Sequence, residues 1–333
     1  MGPSLPGRRR VLGGALLAAS MLATMRVGAA DGTGADYPAR PVRLVVPYGA
    51  GGGADVVARL LADALAPRLG QPVVVENRPG ANGAIGTAAV AKAEPDGYTL
   101  ALVVSSHVFG RALVPNLPFD PVRDFAPVML ATRSPIVLVA SASLPVRSVG
   151  ELLAYVRARP DQVAFASAGN GSNVHVFAQW FNDLARLHMI HVPYKGSSAA
   201  HLDLISGRVA MAFDTLASVQ SHVAAGKLRL LAVAGPRRLA QYPDVPTVAE
   251  AGIPGFEAES WTAVLAPAAT QSPIVARLQR ELVAVLQLPA VRERLQGAGA
   301  QVVGGSSDEL ATVLATEEKR YGDLIRRLNI TLD

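Results

Sequence analysis

The sequence predicts an α/β protein of two lobes, each built on a parallel or mixed sheet flanked by helices, with a hinge of two strands between them. Short β-branched runs alternate along the chain with amphipathic helical segments, and this alternation is typical of sheets covered by helices. Two glycine-rich turns, residues 49–55 (GAGGGAD) and 168–173 (AGNGSN), each follow a strand-like run and lead into a helix. A chain of 333 residues, 50% of them hydrophobic, is long enough to form two cores.

Residues 1–30 are predicted to be a signal peptide. Arg8, Arg9 and Arg10 precede an uncharged stretch, residues 11–25, and small residues follow where a signal peptidase would cut. The clustered arginines also fit the twin-arginine pattern, so general export and twin-arginine export both stay open. Because the apolar stretch is shorter than the roughly 20 residues of a membrane span, we expect the peptide to be removed and the mature protein to be periplasmic.

Removing that peptide changes the charge of the chain. It carries four arginines and no acidic residue, so the net charge falls from +5 to +1. The remaining sequence has no basic patch with interleaved aromatic residues, and nucleic acid is therefore not an expected partner. With no cysteine, the chain has no disulfide, thiolate nucleophile or cysteine-based metal site. We expect a monomer without metal or cofactor.

The first lobe is predicted to comprise residues 36–135 together with 259–333. The predicted elements are strands at 41–47, 72–76 and 98–104, a helix at 55–69, a helix ending at 93, and tail helices at 273–286 and 309–328. Helix 55–69 has one apolar stripe, which includes Val56, and an opposite polar face with Asp55, Arg59 and Asp63. A capping-box signature, Ser306 with Glu309, opens the last helix.

The second lobe is predicted to comprise residues 136–258. The predicted elements are helices at 151–157, 173–185, 197–205 and 216–225, and strands at 163–166, 191–194, 208–213 and 228–234. Ser148 with Glu151, and Thr247 with Glu250, are capping-box signatures, the second expected to open a short helix. We expect residues 125–141 to pass between the lobes as a long strand, and residues 259–265 to return.

Each glycine-rich turn should direct backbone N–H groups and a positive helix end at one point, which suits an anion. Two such turns could hold a small carboxylate from both sides. The first turn also fits the loose Gly-x-Gly-x-x-Ala dinucleotide fingerprint, with Glu76 placed as a ribose acceptor would be. A purely structural tight turn is the third interpretation. No lysine follows the glycines as in a nucleotide P-loop.

The sequence assembles no catalytic set. Ser172 lacks the G-x-S-x-G context of a nucleophile elbow. His188 and His191 would point to opposite faces of a strand, which disfavours a shared metal. Asp214, at the end of a strand, has two interpretations: a helix N-cap, or a cleft-facing carboxylate that receives a ligand ammonium or hydroxyl. An exported α/β enzyme or dinucleotide-binding protein remains the alternative to a binding protein.

The chain resembles the Bug-type periplasmic solute-binding proteins of tripartite tricarboxylate transporters. The matching stretches extend in order from residue 37 almost to the C-terminus: YPARPVRLVVPYGAGGGAD, VVVENRPGANGAIG, PDGYTL, LPFDPVRDFAPV, HVPYKG, MAFD, AAGKLRLLAV, PDVPTVAEAGIPGFE and SWTAVLAPA. This chain departs from the common family pattern in having Tyr48 where phenylalanine is frequent, Ala50 where proline is frequent and Ala263 where glycine is frequent nearby. The phenol of Tyr48 favours a more polar ligand.

The resemblance implies a two-lobed, type II-like "Venus flytrap" that captures a small organic carboxylate and presents it to a membrane permease or a sensor, without catalysis. It implies that backbone N–H groups, hydroxyls and ordered water hold the carboxylate, with no dedicated arginine. Carried over to this sequence, the ligand-binding residues are Tyr48, Gly51, Gly52, Gly53, Ala54, Asp55, Ser105, Ser106, Ala168, Gly169, Asn170, Gly171, Ser172, Asn173 and Asp214.

Overall fold

A computed structural model describes Gly2 and residues 37–332 of the chain. The predicted signal peptide and its export route, apart from Gly2, lie outside these residues. Between residues 37 and 332, no helix has both the length and the apolar character that crossing a membrane requires.

Strands and helices alternate through most of the described residues, as the sequence predicts. The strands are β1 (Val42–Val46), β2 (Val73–Asn77), β3 (Thr99–Val104), β4 (Phe125–Ser134), β5 (Ile136–Ser141), β6 (Ala164–Ser167), β7 (Ile190–Pro193), β8 (Met211–Thr215), β9 (Leu228–Val233), β10 (Ser260–Pro267) and β11 (Gln301–Gly305). The helices are α1 (Gly53–Leu69), α2 (Ala84–Ala91), α3 (Gly110–Leu113), α4 (Val149–Arg157), α5 (Asn173–Leu184), α6 (Ser197–Ser206), α7 (Leu216–Ala224), α8 (Ser272–Leu286), α9 (Pro289–Gly297) and α10 (Ser307–Arg327).

The strands form two mixed sheets flanked by helices, which confirms the predicted fold class. The first sheet has the order β11-β4-β10-β3-β1-β2, and the second has the order β7-β6-β8-β5-β9. In the first sheet β1 is parallel to β2 and β3, whereas β10 is antiparallel to both of its neighbours. In the second sheet β6 is parallel to β7 and β8, and β5 is antiparallel to β8 and β9.

The chain passes from the first sheet to the second at Pro135, which alone separates β4 from β5. Proline has no N–H to continue the hydrogen bonds of a sheet, so the strand β4 ends before it. The chain returns to the first sheet at β10, which pairs with β4. In the crossing region the hydroxyls of Thr132 and Thr262 lie 2.7 Å apart, and Arg133 contacts Glu259 at 2.6 Å. These side chains tie the outgoing strand to the returning one.

Two of the three capping-box signatures open helices. Ser148 accepts the N–H of Glu151 at the start of α4, and Ser306 does the same for Glu309 at the start of α10. Thr247 and Glu250 also make both bonds of the box, 2.8 and 3.1 Å. These bonds stabilise a turn and not a helix, so the prediction of a short helix here was wrong. Gly252, which has a φ of +104°, follows at once and diverts the backbone.

The buried hydroxyl pair of the crossing strands gives a test of hinge packing. We expect Thr132→Val or Thr262→Val alone to lower the free energy of unfolding by about 1–3 kcal/mol, because each leaves a buried hydroxyl without its partner. The double variant removes both hydroxyls and should cost clearly less than the two single changes together. Urea unfolding measures this cycle, with exposed Thr312→Val as the control. Strict additivity of the two changes would show that the pair does not interact.

Candidate ligand-binding site

The predicted site residues lie at the carboxyl ends of strands in both sheets. β1 leads into the first glycine-rich turn, and the parallel strand β3 ends at Val104, directly before Ser105. In the second sheet β6 leads into the other turn, and the parallel strand β8 contains Asp214. Ligands of open α/β sheets bind outside such strand ends. The topology therefore gives each sheet one glycine-rich turn at its ligand-binding edge.

The first turn ends in an open helix N-terminus. Gly52 is the N-cap of α1, and no side chain caps the helix there. The first helical hydrogen bond runs from the N–H of Val56 to the carbonyl of Gly52, 3.0 Å. The N–H groups of residues 53–55 begin the helix, where no preceding turn provides acceptors. Because Gly52 and Gly53 are exposed, an anion can approach these donors and the positive helix end.

The sequence predicted that Asp55 lies on the exposed face of α1. In the structure it does not. It is 3% exposed, whereas Val56, predicted to face the core, is 39% exposed. The carboxylate of Asp55 accepts the N–H of Gly51 at 2.9 Å, Arg59 Nε at 3.0 Å and Asn77 Nδ2 at 3.0 Å. The hydrogen bond from Arg59 is the main cause that lowers the pKa of Asp55 to about 2.

The reason for this difference is local. The first residues of a helix face the loop before it, and here Gly51 has a φ of +79°, which suits glycine and folds the loop back over the helix start. The carboxylate of Asp55 therefore braces the turn from within. Its backbone N–H remains one of the helix-start donors.

The contacts of Glu76 do not support the dinucleotide-binding interpretation. Glu76, placed by the sequence as a ribose acceptor, instead accepts Arg78 Nε at 2.7 Å and lies 3.7 Å from Arg43 Nη1. Both contacts hold its carboxylate along the edge strand β2.

Tyr48 directs its hydroxyl into the protein. The oxygen accepts the N–H of Val104 at 3.4 Å and lies 3.5 Å from Ser106 Oγ. Burial raises the pKa of the Tyr48 phenol. The neighbouring Ser105 is fully buried, and its hydroxyl lies 3.4 Å from Ser260 Oγ. The phenol is thus a neutral group that links the first turn to the end of β3.

Side-chain amides connect the strand ends of the two sheets. Asn173, the first residue of α5, donates from Nδ2 to Ser260 Oγ at 3.2 Å and to Ser105 Oγ at 3.4 Å. Asn82 donates from Nδ2 to the carbonyl of Gly171 at 3.1 Å. The sequence predicted Ser105, Gly171 and Asn173 but missed Ser260 and Asn82. Asn82 belongs to the glycine-dense RPGANG segment, whose composition indicates only a turn.

The second turn differs from the first because its helix is capped. Ser172 is the N-cap of α5, and its hydroxyl accepts the N–H of His175 at 3.3 Å while it donates to the carbonyl of Gly169 at 2.7 Å. Asn173 Oδ1 accepts the N–H of Val174 at 2.9 Å. The N–H groups of this helix start are therefore largely satisfied within the protein. Similar glycine-rich sequences thus give one open turn and one closed turn.

Asp214 is not the helix cap. It lies within β8 and is 5% exposed, and Thr215 is the N-cap of α7, accepting the N–H of Ser218 at 3.3 Å. Thr215 has the extended backbone that a cap requires, so the cap interpretation was wrong by one residue. Asp214 Oδ2 lies 2.8 Å from Nε2 of His201, and Oδ1 accepts the N–H of Thr215 at 2.7 Å. A role in facing the ligand stays a prediction.

His188 and His191 do not form a pair. His188 is exposed, whereas the ring of His191 stacks on His175. In the part of the chain that the structure describes, no group of three or more histidine, aspartate or glutamate side chains could hold a metal ion. Cavities of about 280 and 400 Å³ lie beside Pro135 and Gln301, and no predicted site residue lines either of them.

Two mixed sheets joined by crossing strands, with an open helix N-terminus at the carboxyl end of one strand, are the architecture of the periplasmic binding proteins that the chain resembles. Residues 57–330 match the model of the "Tripartite tricarboxylate transporter family receptor". The chain belongs to this family of receptors, which confirms both the resemblance and the expectation of a binding protein rather than an enzyme.

Known relatives agree with this assignment. The chain is 40% identical over 298 residues to Protein BugT of Bordetella pertussis, an alignment of 89% of this chain and 91% of that protein. It resembles the structure of an R. palustris protein with adipate, with 36% identity, 89% and 99% coverage and a TM-score of 0.79. It also resembles MatC from Rhodopseudomonas palustris with bound malate, with 35% identity, 87% and 100% coverage and a TM-score of 0.77.

The brace at Asp55 gives a pH-dependent prediction. We expect Asp55→Ala to lower the free energy of unfolding by about 1–3 kcal/mol at neutral pH, because three donors lose their acceptor. The folded pKa of about 2 is below the ordinary value of 3.8. The carboxylate's contribution is therefore complete above that ordinary value and is lost as the pH falls through about 2.

Urea unfolding across this pH range measures the difference in the free energy of unfolding between the parent and Asp55→Ala. This difference should become smaller in acid. Asp63→Ala, on the exposed face of the same helix, is the control. A difference that stays constant down to the lowest pH would contradict a bracing carboxylate.

Proposed function

We propose that this chain is a periplasmic receptor that closes two lobes around a small organic carboxylate and delivers it to the permease subunits of a tripartite transporter, or presents it to a sensor. The open N-terminus of α1, beyond the carboxyl end of β1, is the observation that carries the proposal. Membership of the receptor family supports it. Adipate and malate in the two related structures support a carboxylate as the ligand.

The carboxylate binds to backbone N–H groups of the first turn. The donors are those of Gly53, Ala54 and Asp55, and the partial positive charge of the helix end offsets the negative charge of the ligand. Arg59, on the same helix, is already bonded to Asp55 and to Asn77 Oδ1. The ligand therefore meets amide dipoles rather than a full positive charge.

The second lobe closes over the ligand from the other side. We assign residues 36–135 and 259–333 to the first lobe and residues 136–258 to the second, because the strands of each sheet fall within these ranges. Closure then bends the chain where Pro135 separates the two sheets and where residue 259 leads into β10. Hinges of this kind need only a few residues that absorb the rotation.

Asp214 and His201 face the far end of the ligand in this arrangement. A carboxylate there repels a second negative charge at close range in a partly desolvated cleft. We therefore expect a preference for monocarboxylates with a polar or cationic tail, or for dicarboxylates long enough to clear Asp214, over compact tricarboxylates such as citrate. A ligand panel of lactate, adipate and citrate, one from each class, tests this preference, and malate adds a compact dicarboxylate.

A substitution at Gly53 separates ligand binding from folding. A Cβ at Gly53 meets no heavy atom within 4 Å, and the residue needs no left-handed φ, so valine fits the unliganded protein. We expect Gly53→Val to weaken malate or adipate binding by at least about tenfold, or 1.4 kcal/mol, with little change in melting temperature. Calorimetry measures the affinity, and Gly297→Val, which is equally unobstructed, is the control. Parent-like binding by Gly53→Val would place the site elsewhere.

The same amide-based site should respond weakly to salt. Exposed full charges are screened within about 8 Å at physiological ionic strength, but short contacts with backbone dipoles are affected much less. We expect the dissociation constant to change only modestly between about 0.01 and about 0.15 M salt. Calorimetry across this series gives the answer. A steep loss of affinity would indicate a site built on arginine or lysine.

A further inference from the structure

Two histidines are stacked beneath the second turn. His175 of α5 and His191 of β7 lie face to face, with ring centroids 3.7 Å apart and ring planes only 9° from parallel. His175 is 5% exposed, and His191 is half-buried. Phe165 of β6 stacks against His191, with centroids 5.0 Å apart. The proposed function uses neither imidazole.

His175 holds a backbone N–H group of the turn directly, and His191 holds another through the hydroxyl of Ser167. The N–H of Gly171 donates to His175 Nδ1 at 3.1 Å. The N–H of Gly169 donates to Ser167 Oγ at 3.2 Å, and the same hydroxyl lies 2.7 Å from His191 Nε2. An imidazole nitrogen can accept a hydrogen bond only when it carries no proton. His175 is therefore neutral, with its proton on Nε2.

The surroundings favour this neutral form. Burial, together with the smaller effect of the neighbouring His191, lowers the pKa of His175 to about 3. Burial lowers the pKa of His191 to about 4. At neutral pH the pair therefore supplies the turn with an acceptor and packing surface without adding charge to the site.

The bond to His175 fixes the orientation of one peptide group. In a trans peptide the carbonyl points opposite to the N–H, so the Asn170 carbonyl is directed away from His175. Gly171 has a φ of +71°, which glycine tolerates in turns of more than one type. The glycine therefore does not by itself dictate one orientation of this peptide, and the acceptor on His175 favours the orientation observed.

We propose that His175 is a positioning residue for ligand binding, holding the Asn170–Gly171 peptide with its N–H inward and its carbonyl outward, while His191 holds the imidazole in place by stacking. This inference rests on the proposed function. Its consequence is a division of labour: the first turn binds the ligand carboxylate, and the second turn offers an acceptor to a hydroxyl, amide or ammonium group on the ligand.

Two variants separate the acceptor from the packing. His175→Asn keeps an oxygen the same number of bonds from the backbone as Nδ1, whereas His175→Leu keeps apolar volume without an acceptor. We expect His175→Leu to weaken malate binding by about tenfold, because the peptide loses its single orientation. His175→Asn should keep most of the affinity of the parent. Calorimetry with malate, then adipate, measures this. The matched controls, His188→Leu and His188→Asn, change an exposed histidine and should bind as the parent does.

A ligand-independent measurement accompanies the affinities. In the parent and His175→Asn, hydrogen exchange of the Gly171 amide, followed by NMR, should be slow relative to His175→Leu. Equal losses of affinity in the two variants, or none in either, would reduce His175 to a packing residue and overturn the proposal. If no variant, including the parent, binds any carboxylate of the panel, the proposed function fails. The amide exchange then still decides whether His175 orients the peptide.

Discussion

The double crossing between the two sheets is the constraint on which the arrangement of the site depends. The chain leaves the first sheet at Pro135 and returns through β10, beside β4. Fully buried Trp261 anchors the return, donating from its indole N–H to Glu317 Oε2 at 2.7 Å. Burial raises the pKa of Glu317 to about 7, even though this bond favours the ionised carboxylate. The crossing is thus held by α10 as well as by strand pairing. It directs the carboxyl ends of the strands in the two sheets toward each other.

At those edges, a single residue decides how each turn behaves. Gly52 leaves the start of α1 uncapped, whereas Ser172 caps the start of α5 with its hydroxyl. A helix end that satisfies its own donors has little left for an anion, but one that does not is a ready anion site. The two turns therefore differ in what they leave open: under the proposed function, the first gives donors to the ligand, and the second gives a fixed surface that closes against it.

The sequence predicted the sheets, most of the helices and the two capping boxes at Ser148 and Ser306, because these depend on short-range patterns. It failed where a contact joins distant segments or where a boundary shifts by one residue. The sequence predicted neither β11 nor α9. The strand β11 (QVVGG) is short and lies at the edge of its sheet, and its partner, β4, is far along the chain. Helical periodicity placed Asp55 on a face but could not show that the preceding loop folds back over it. The cap assigned to Asp214 belongs to Thr215.

The histidine pair could not be found from the sequence for the same reason. His175 and His191 belong to a helix and to the second strand of a parallel pair, and only the register of β7 against β6, which sets His191 beside Phe165, brings the rings together. A neutral pair under the second turn and a bonded ion pair, Asp55 with Arg59, under the first have one effect in common. Both support backbone geometry with groups that are neutral or already paired. Under the proposed function, a site of this kind distinguishes ligands by their length and by where their hydrogen-bonding groups lie, because its strongest interactions are fixed dipoles at short range.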